Sequence, residues 1–190
     1  MTEYPRKSGI KKYPLSMRIL HWLRAVLILG LLASGLYMTR LPEDAVAAAG
    51  FFYPNHKQFG VLVWLLALVH LALRWRYTTS LPNPPLNLAP WEKWLAHVTH
   101  RLIVVLTLIT PLLGYSMSSS FTQSDGVPFF FISQIPELLP KNDAAFAIFQ
   151  TLHKYSAYVL LTCILLHLAG TLKHRLTDKG GDTDVLPRML

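Results

Sequence analysis

Residues 152–172 read LHKYSAYVLLTCILLHLAGTL, a run whose one charged side chain, Lys154, stands near its start. About 20 mostly apolar residues cross the hydrocarbon core of a bilayer as a helix, so this run reads as a membrane span. Three further stretches, 18–38, 59–75 and 96–117, have the same character. Composition agrees: 52% hydrophobic and 15% charged residues, with a mean hydropathy of +0.35, are too apolar for an ordinary soluble domain. Four spans in 190 residues leave little room for a second domain. The expected architecture is an all-α integral membrane four-helix bundle. The expected segments are 1–17 at the N-terminus, 18–175 for the bundle and 176–190 as a tail.

Orientation follows from the basic residues, which accumulate in short cytoplasmic connections. Arg6, Lys7, Lys11, Lys12 and Arg18 precede or open span one, Arg74, Arg76 and Lys93 flank the second connection, and Lys173, Arg175, Lys179 and Arg188 end the chain. The first connection has Arg40 and Lys57. The third sets Lys141 and Lys154 against Asp125, Glu137 and Asp143. Both termini are therefore expected in the cytoplasm. The formal charge of +8 then marks orientation and attraction to anionic lipid, and no motif points to nucleic acid. The first stretch also has the outline of a signal peptide, with Ala47-Ala48-Ala49 as a cleavage site. Its length, and its His21-Trp22 pair and Arg24, favour a retained span.

Leu81-Pro82-Asn83-Pro84-Pro85 cannot continue a helix, because proline lacks the amide donor and restricts the residue before it. Trp91 and Trp94 follow it, where indole rings anchor to the headgroup layer. Phe129-Phe130-Phe131, with Pro128, Pro136 and Pro140, suggests a loop on the outer interface.

The chemistry lies in the histidines, which are costly inside membranes and need partners there. His56 and His70 are fourteen residues apart, as are His153 and His167. Fourteen helical residues return to within about 40° of the same face after a rise of about 21 Å. Each pair thus marks one face at two depths, with His56 and His153 outside and His70 and His167 inside. A bis-imidazole haem takes one ligand from each of two facing helices, and two stacked sites of this kind fit the register. The single cysteine, Cys163, lies within span four, and no Cys-x-x-Cys-His segment exists for covalent attachment. Any haem is held by coordination. Gly60, one turn after His56, and Gly30, Gly35 and Gly114 in the other spans would let rings approach the backbone. The bland alternative for each histidine is an interhelical hydrogen bond. At the inner site His21 on span one competes with His70, and geometry leaves the choice open.

Arg18-Ile19-Leu20-His21-Trp22 resembles the Arg-x-x-His-Trp opening of the bacterial cytochrome b561 family, related to the haem subunits of nickel-iron hydrogenases. The His56 segment through Arg74-Trp75-Arg76-Tyr77, the Leu95-Ala96-His97-x-x-His100 start of span three, and His153 to His167 resemble that family in order and spacing, over nearly the whole chain. The resemblance implies two b-type haems in a multi-pass protein of the bacterial inner membrane. The outer haem would lie between His56 and His153, the inner between His21 and His167, with His70 left as a neighbouring group. Arg18, Arg24, Arg74 and Arg76 would face propionates or snorkel to the interface. His97, His100 and His174 would border a quinone headgroup, where imidazole handles protons near neutral pH, or stand as interfacial polar residues on a helix end.

The function this implies is transmembrane electron transfer linked to the quinone pool, with a periplasmic redox donor or acceptor. Superoxide oxidation is one such reaction, for which Lys57 and Lys154 beside the outer ligands would attract the anion. Yet the outer connections hold one more acidic than basic residue, so steering is not established. A histidine-based metal or proton transporter and a haem-free anchor subunit are the competing classes. The spans lack acids at their centres, and two separated levels do not resemble one midplane transport site.

Overall fold

A computed structural model describes residues 11–124, 126–130 and 133–190. Arg6, Lys7, Asp125 and Phe131, named above, lie outside these residues. Four helices dominate: α1 (Leu15–Met38), α2 (Val46–Arg76), α3 (Pro90–Ser120) and α4 (Asp143–Thr177). All four are long and apolar enough to cross a membrane. The 35 residues of α4 extend about 52 Å, well beyond an apolar core of about 30 Å, so its ends rise out of the bilayer. The helices start three residues before the expected bundle boundary at one end and stop two after it at the other. Ala47-Ala48-Ala49 lies inside the first turn of α2.

Local chemistry sets these limits. Pro90 opens α3 in a position where its missing N–H costs nothing, and the Glu92 carboxylate accepts from the Ala89 N–H at 2.9 Å. Asn142 caps α4, its side chain accepting from the Ala145 N–H at 3.0 Å. Pro82 and Pro85 after α2 are buried. The third connection contains a small antiparallel hairpin, β1 (Val127–Phe129) with β2 (Ser133–Ile135), registered Val127 against Ile135. Gln58 Oε1 on α2 accepts the Phe130 N–H at 3.0 Å, and Lys57 Nζ donates to the Gly126 carbonyl at 3.1 Å. The aromatic segment is thus fastened over the outer end of α2.

α1 packs on α2, α2 on α3, and α4 makes its close contact with α3. The bundle is correspondingly looser between α4 and the α1/α2 pair. Its centre is an apolar layer of Ile28, Val63 and Leu160, flanked by Leu27, Leu31, Leu32, Ile103, Leu106 and Ile164. Many large apolar side chains, among them Val26, Leu65, Val105, Val159 and Leu165, face outward. In lipid that exposure costs nothing, and helix association rests on packing and hydrogen bonds.

The C-terminal segment is no loose tail. Tyr13 N–H donates to the Arg188 carbonyl at 3.0 Å, so the two ends of the described chain lie together on one side of the bundle. Asp182 accepts from the Leu86 and Asn87 N–H groups at 2.8 and 3.2 Å, and Arg188 donates to the Asn83 carbonyl at 2.7 Å. The Trp22 indole N–H donates to the Met189 carbonyl at 2.9 Å. Residues 178–190 therefore tie α1, the α2–α3 connection and α4 into one end-cap.

Candidate functional site

At the outer level His56 of α2 faces His153 of α4, with ring centres 6.2 Å apart and planes at 84°. Ser34 of α1 spends its hydroxyl hydrogen on the Leu31 carbonyl at 3.1 Å. Its oxygen, 3.0 Å from His56 Nδ1, is left to accept from that nitrogen. His153 Nδ1 lies 2.9 Å from the Thr110 carbonyl, which can only accept. The Thr110 carbonyl thus fixes the hydrogen of His153 on Nδ1 and leaves its Nε2 lone pair available, as a metal-ligating imidazole requires, and the Ser34 hydroxyl can hold His56 in the same way.

Two glycines make room. A Cβ on Gly114 would stand 3.0 Å from His153 Cε1 and 3.1 Å from Nδ1, and one on Gly35 would stand 3.2 Å from His56 Cε1. His153 therefore sits in the groove of α3 over Thr110 and Gly114. Gly60 and Gly30, grouped with these from sequence, have open space at the corresponding point. Gly60 shares a helix with His56, whereas the ring presses on the facing helix. The close approach is made by the partner's glycine.

At the inner level His21 of α1 and His167 of α4 have ring centres 6.4 Å apart and planes at 66°. The Trp22 ring is 5.4 Å from that of His21. His100 brings a third imidazole, 4.9 Å from His167, with its Nδ1 2.6 Å from the Ala96 carbonyl. His70 lies half-buried on α2 with no hydrogen-bond partner at its buried Nδ1.

The spacing discriminates among these rings. Two metal–nitrogen bonds of about 2.0 Å, plus about 1.2 Å from each nitrogen to its ring centre, place coaxial imidazoles about 6.4 Å apart. The pairs His56–His153 and His21–His167 match that separation. The His100–His167 distance is too short for a metal between them, so His100 flanks the inner pair. With their free nitrogens and glycine recesses, the two matched pairs fit b-type haem.

The remaining residues are dispersed. Arg18 has a buried Nε without a partner and lines a cleft of about 540 Å³ with Leu15, Ile19, Trp22, Met189 and Leu190. Arg24 is buried and donates from Nη2 to Thr107 Oγ1 at 2.9 Å. Arg74, Arg76 and His97 are exposed. His174 Nε2 lies 3.7 Å from Glu92 Oε1, beside the Lys173–Glu92 ion pair at 2.7 Å. The group His97, His100 and His174 is thus divided, with His100 at the inner pair and His174 at the start of α3. Lys57 is engaged with Gly126, while Lys154 is exposed, its ammonium 5.9 Å from the Tyr155 ring centre. Sequence reasoning missed Ser34, Thr107, the Thr110 carbonyl and Glu92. Only Glu92 carried a local signal, as an acid in the first turn after a proline.

Residues 12–190 match the family described as prokaryotic cytochrome b561. The chain is 27% identical over 185 residues to cytochrome b561 homolog 2 of Escherichia coli (strain K12), covering 95% of this chain and 92% of that one. It is 25% identical over 127 residues to cytochrome b561 homolog 1 of the same organism, covering 66% and 68%.

Proposed function

Because the chain belongs to the prokaryotic cytochrome b561 family, a family of b-type haem proteins of the bacterial inner membrane that carry electrons across it, we propose that it holds two haems. His56 with His153 would ligate the outer one, and His21 with His167 the inner. The observation that carries this is the recurrence of one spacing, 6.2 and 6.4 Å, at two levels of the same bundle. The haems supply one-electron chemistry. The chain supplies the rest: Ser34 and the Thr110 carbonyl orient the outer imidazoles, Gly35 and Gly114 admit them, and Ile28, Val63 and Leu160 keep water from the layer between. His70 stays a neighbour of the inner site, and Arg18, three residues before His21 on α1, would stand toward its cytoplasmic edge.

The proposal includes cytoplasmic termini, in keeping with the basic residues of the shared end-cap, and a bundle running from 18 to 175. It extends to the quinone pool. The cleft bounded by Arg18, Trp22 and the C-terminal residues lies at the His21 end of α1 and is mainly apolar, which suits a quinone with an apolar tail. His100, exposed beside His167, would serve proton exchange at the inner pair. At the outer face a periplasmic redox protein or small reductant meets the hairpin-covered end of α2. Of the cations first linked to superoxide, Lys154 is the exposed one. The histidine pairs stand at two separated levels rather than at one midplane centre, which disfavours a transporter.

The test is purification and haem assay with redox titration. Two haems per polypeptide with low-spin bis-imidazole spectra, and oxidation of the reduced protein by a short-chain quinone, are expected. Colourless protein that binds zinc stoichiometrically would sink the reading in favour of transport.

A further inference from the structure

One buried charge remains unassigned. Arg24 is 7% exposed, its Nη2 donates to Thr107 Oγ1, and its Nε is buried with no partner. Thr107 is neutral, and its own hydroxyl donates to the Val104 carbonyl at 2.9 Å. Among the described residues the helices carry acids only in end turns, Glu92 of α3 and Asp143 of α4. A guanidinium keeps its proton in proteins, and an uncompensated charge at this depth is expensive.

Its position is asymmetric. Along α1, Arg24 is three residues from His21, a rise of about 4.5 Å, and ten from Ser34, which marks the outer level, a rise of about 15 Å. The apolar layer of Ile28, Val63 and Leu160 lies between Arg24 and that outer level. The buried imidazole of His70, also lacking a partner at Nδ1, is within electrostatic reach of Arg24.

Resting on the two-haem reading, we infer that Arg24 is a potential-setting residue, a fixed cation that holds the electron on the inner site in preference to the outer. Each reduction adds one negative charge and moves no atom. One electron leaves the ferrous outer iron and one arrives at the ferric inner iron, so charge balances without a proton. A nearby cation stabilises the more negative state. Even at roughly 10 Å, with an effective dielectric constant near 20, a unit charge changes such an equilibrium about tenfold. The same charge acts less on the outer site, which lies about 15 Å along α1 from Arg24 against about 4.5 Å for the inner. Electrons entering from the outer face are thereby drawn inward, and among the described residues the helices bring no carboxylate to Arg24 that would cancel its charge.

The experiment is redox titration of the purified holoprotein, with the two midpoints assigned from a His153→Ala variant. In Arg24→Gln, which keeps a donor for Thr107, the reduced-to-oxidised ratio of the inner haem at fixed potential should fall about tenfold, and that of the outer haem by a smaller factor. Arg24→Lys should restore most of the difference. Thr107→Glu, which sets a carboxylate against the guanidinium, should reproduce the Gln phenotype and covers the case in which Arg24→Gln folds poorly. Equal movement of both potentials, no movement, or Arg24→Lys behaving as Arg24→Gln overturns the inference while leaving two haems in place. Loss of all haem from the wild-type preparation overturns the underlying reading instead.

Discussion

Replacing Gly114 with alanine tests the outer site through a residue that ligates nothing. The new Cβ would stand 3.0 Å from His153 Cε1 and 3.1 Å from Nδ1, against about 3.5–4.0 Å for an unstrained carbon contact. The ring must retreat by about half an ångström or more, away from the Thr110 carbonyl that orients it at 2.9 Å. That hydrogen bond contributes about 1 kcal/mol, and disturbing such a supporting bond typically weakens metal binding about 10- to 100-fold. Alanine in place of glycine meanwhile favours the helix by about 1 kcal/mol. Haem retention and protein stability should therefore move in opposite directions. The assay is transfer of haem to an excess of haem-scavenging apoprotein, read beside thermal unfolding of the remaining fold. Gly114→Ala should release its outer haem at least tenfold faster than wild type, and Gly35→Ala, at 3.2 Å from His56 Cε1, less so. Gly30→Ala, with nothing within 4 Å of its Cβ, is the control and should release normally. Unchanged outer-haem release in Gly114→Ala would refute the argument that His153 is seated in that groove as a ligand.

Three further outcomes are expected. His153→Ala should lose the outer haem and keep the inner, His21→Ala should do the converse, and His70→Ala should keep both; haem assay and low-spin spectra decide, and one-haem His70→Ala protein beside two-haem His21→Ala protein would reverse the inner assignment. Alkaline phosphatase fused after Leu190 should be inactive and one inserted near Ser133 active, since both ends are expected in the cytoplasm; activity at the C-terminus would mean an odd number of spans. The end-cap should open in acid. Thr183 donates to Asp178 from its hydroxyl and its N–H and holds that carboxyl below its ordinary value. Burial pushes Asp184 upward, but bonds from the Gly180 N–H and Arg175 outweigh it and leave its carboxyl lowered as well. Groups depressed in the folded state contribute fully above their unfolded value of about 3.9 and lose that contribution as pH falls through the folded values. Protease sensitivity of residues 178–190 should thus stay flat from neutrality to about pH 4 and rise below it; a rise near pH 6 would contradict this.

The four spans were legible in the sequence because lipid imposes length and apolarity on each helix separately, and neither depends on a partner. The fourteen-residue histidine repeats were legible for a related reason, since helical periodicity converts spacing into face and depth. His21 was legible only by resemblance. Spacing within one chain segment cannot say which helix faces which, and the 6.4 Å approach to His167 is a property of how α1 stands relative to α4. The same limit hid the glycines. Gly60 looked apt because it neighbours His56 in sequence, but a ring presses on the helix opposite, so Gly35 and Gly114 make the room. It also hid Ser34 and the Thr110 carbonyl, ordinary groups until a ring nitrogen is brought to them. The contacts of the 176–190 tail were hidden as well, because its partners, Tyr13, Trp22, Asn83 and the 86–87 amides, come from three distant segments. Hydropathy and period are summed along the chain and determine the helices. Hydrogen bonds and close approaches between helices are set across it, and only the tertiary structure decides them.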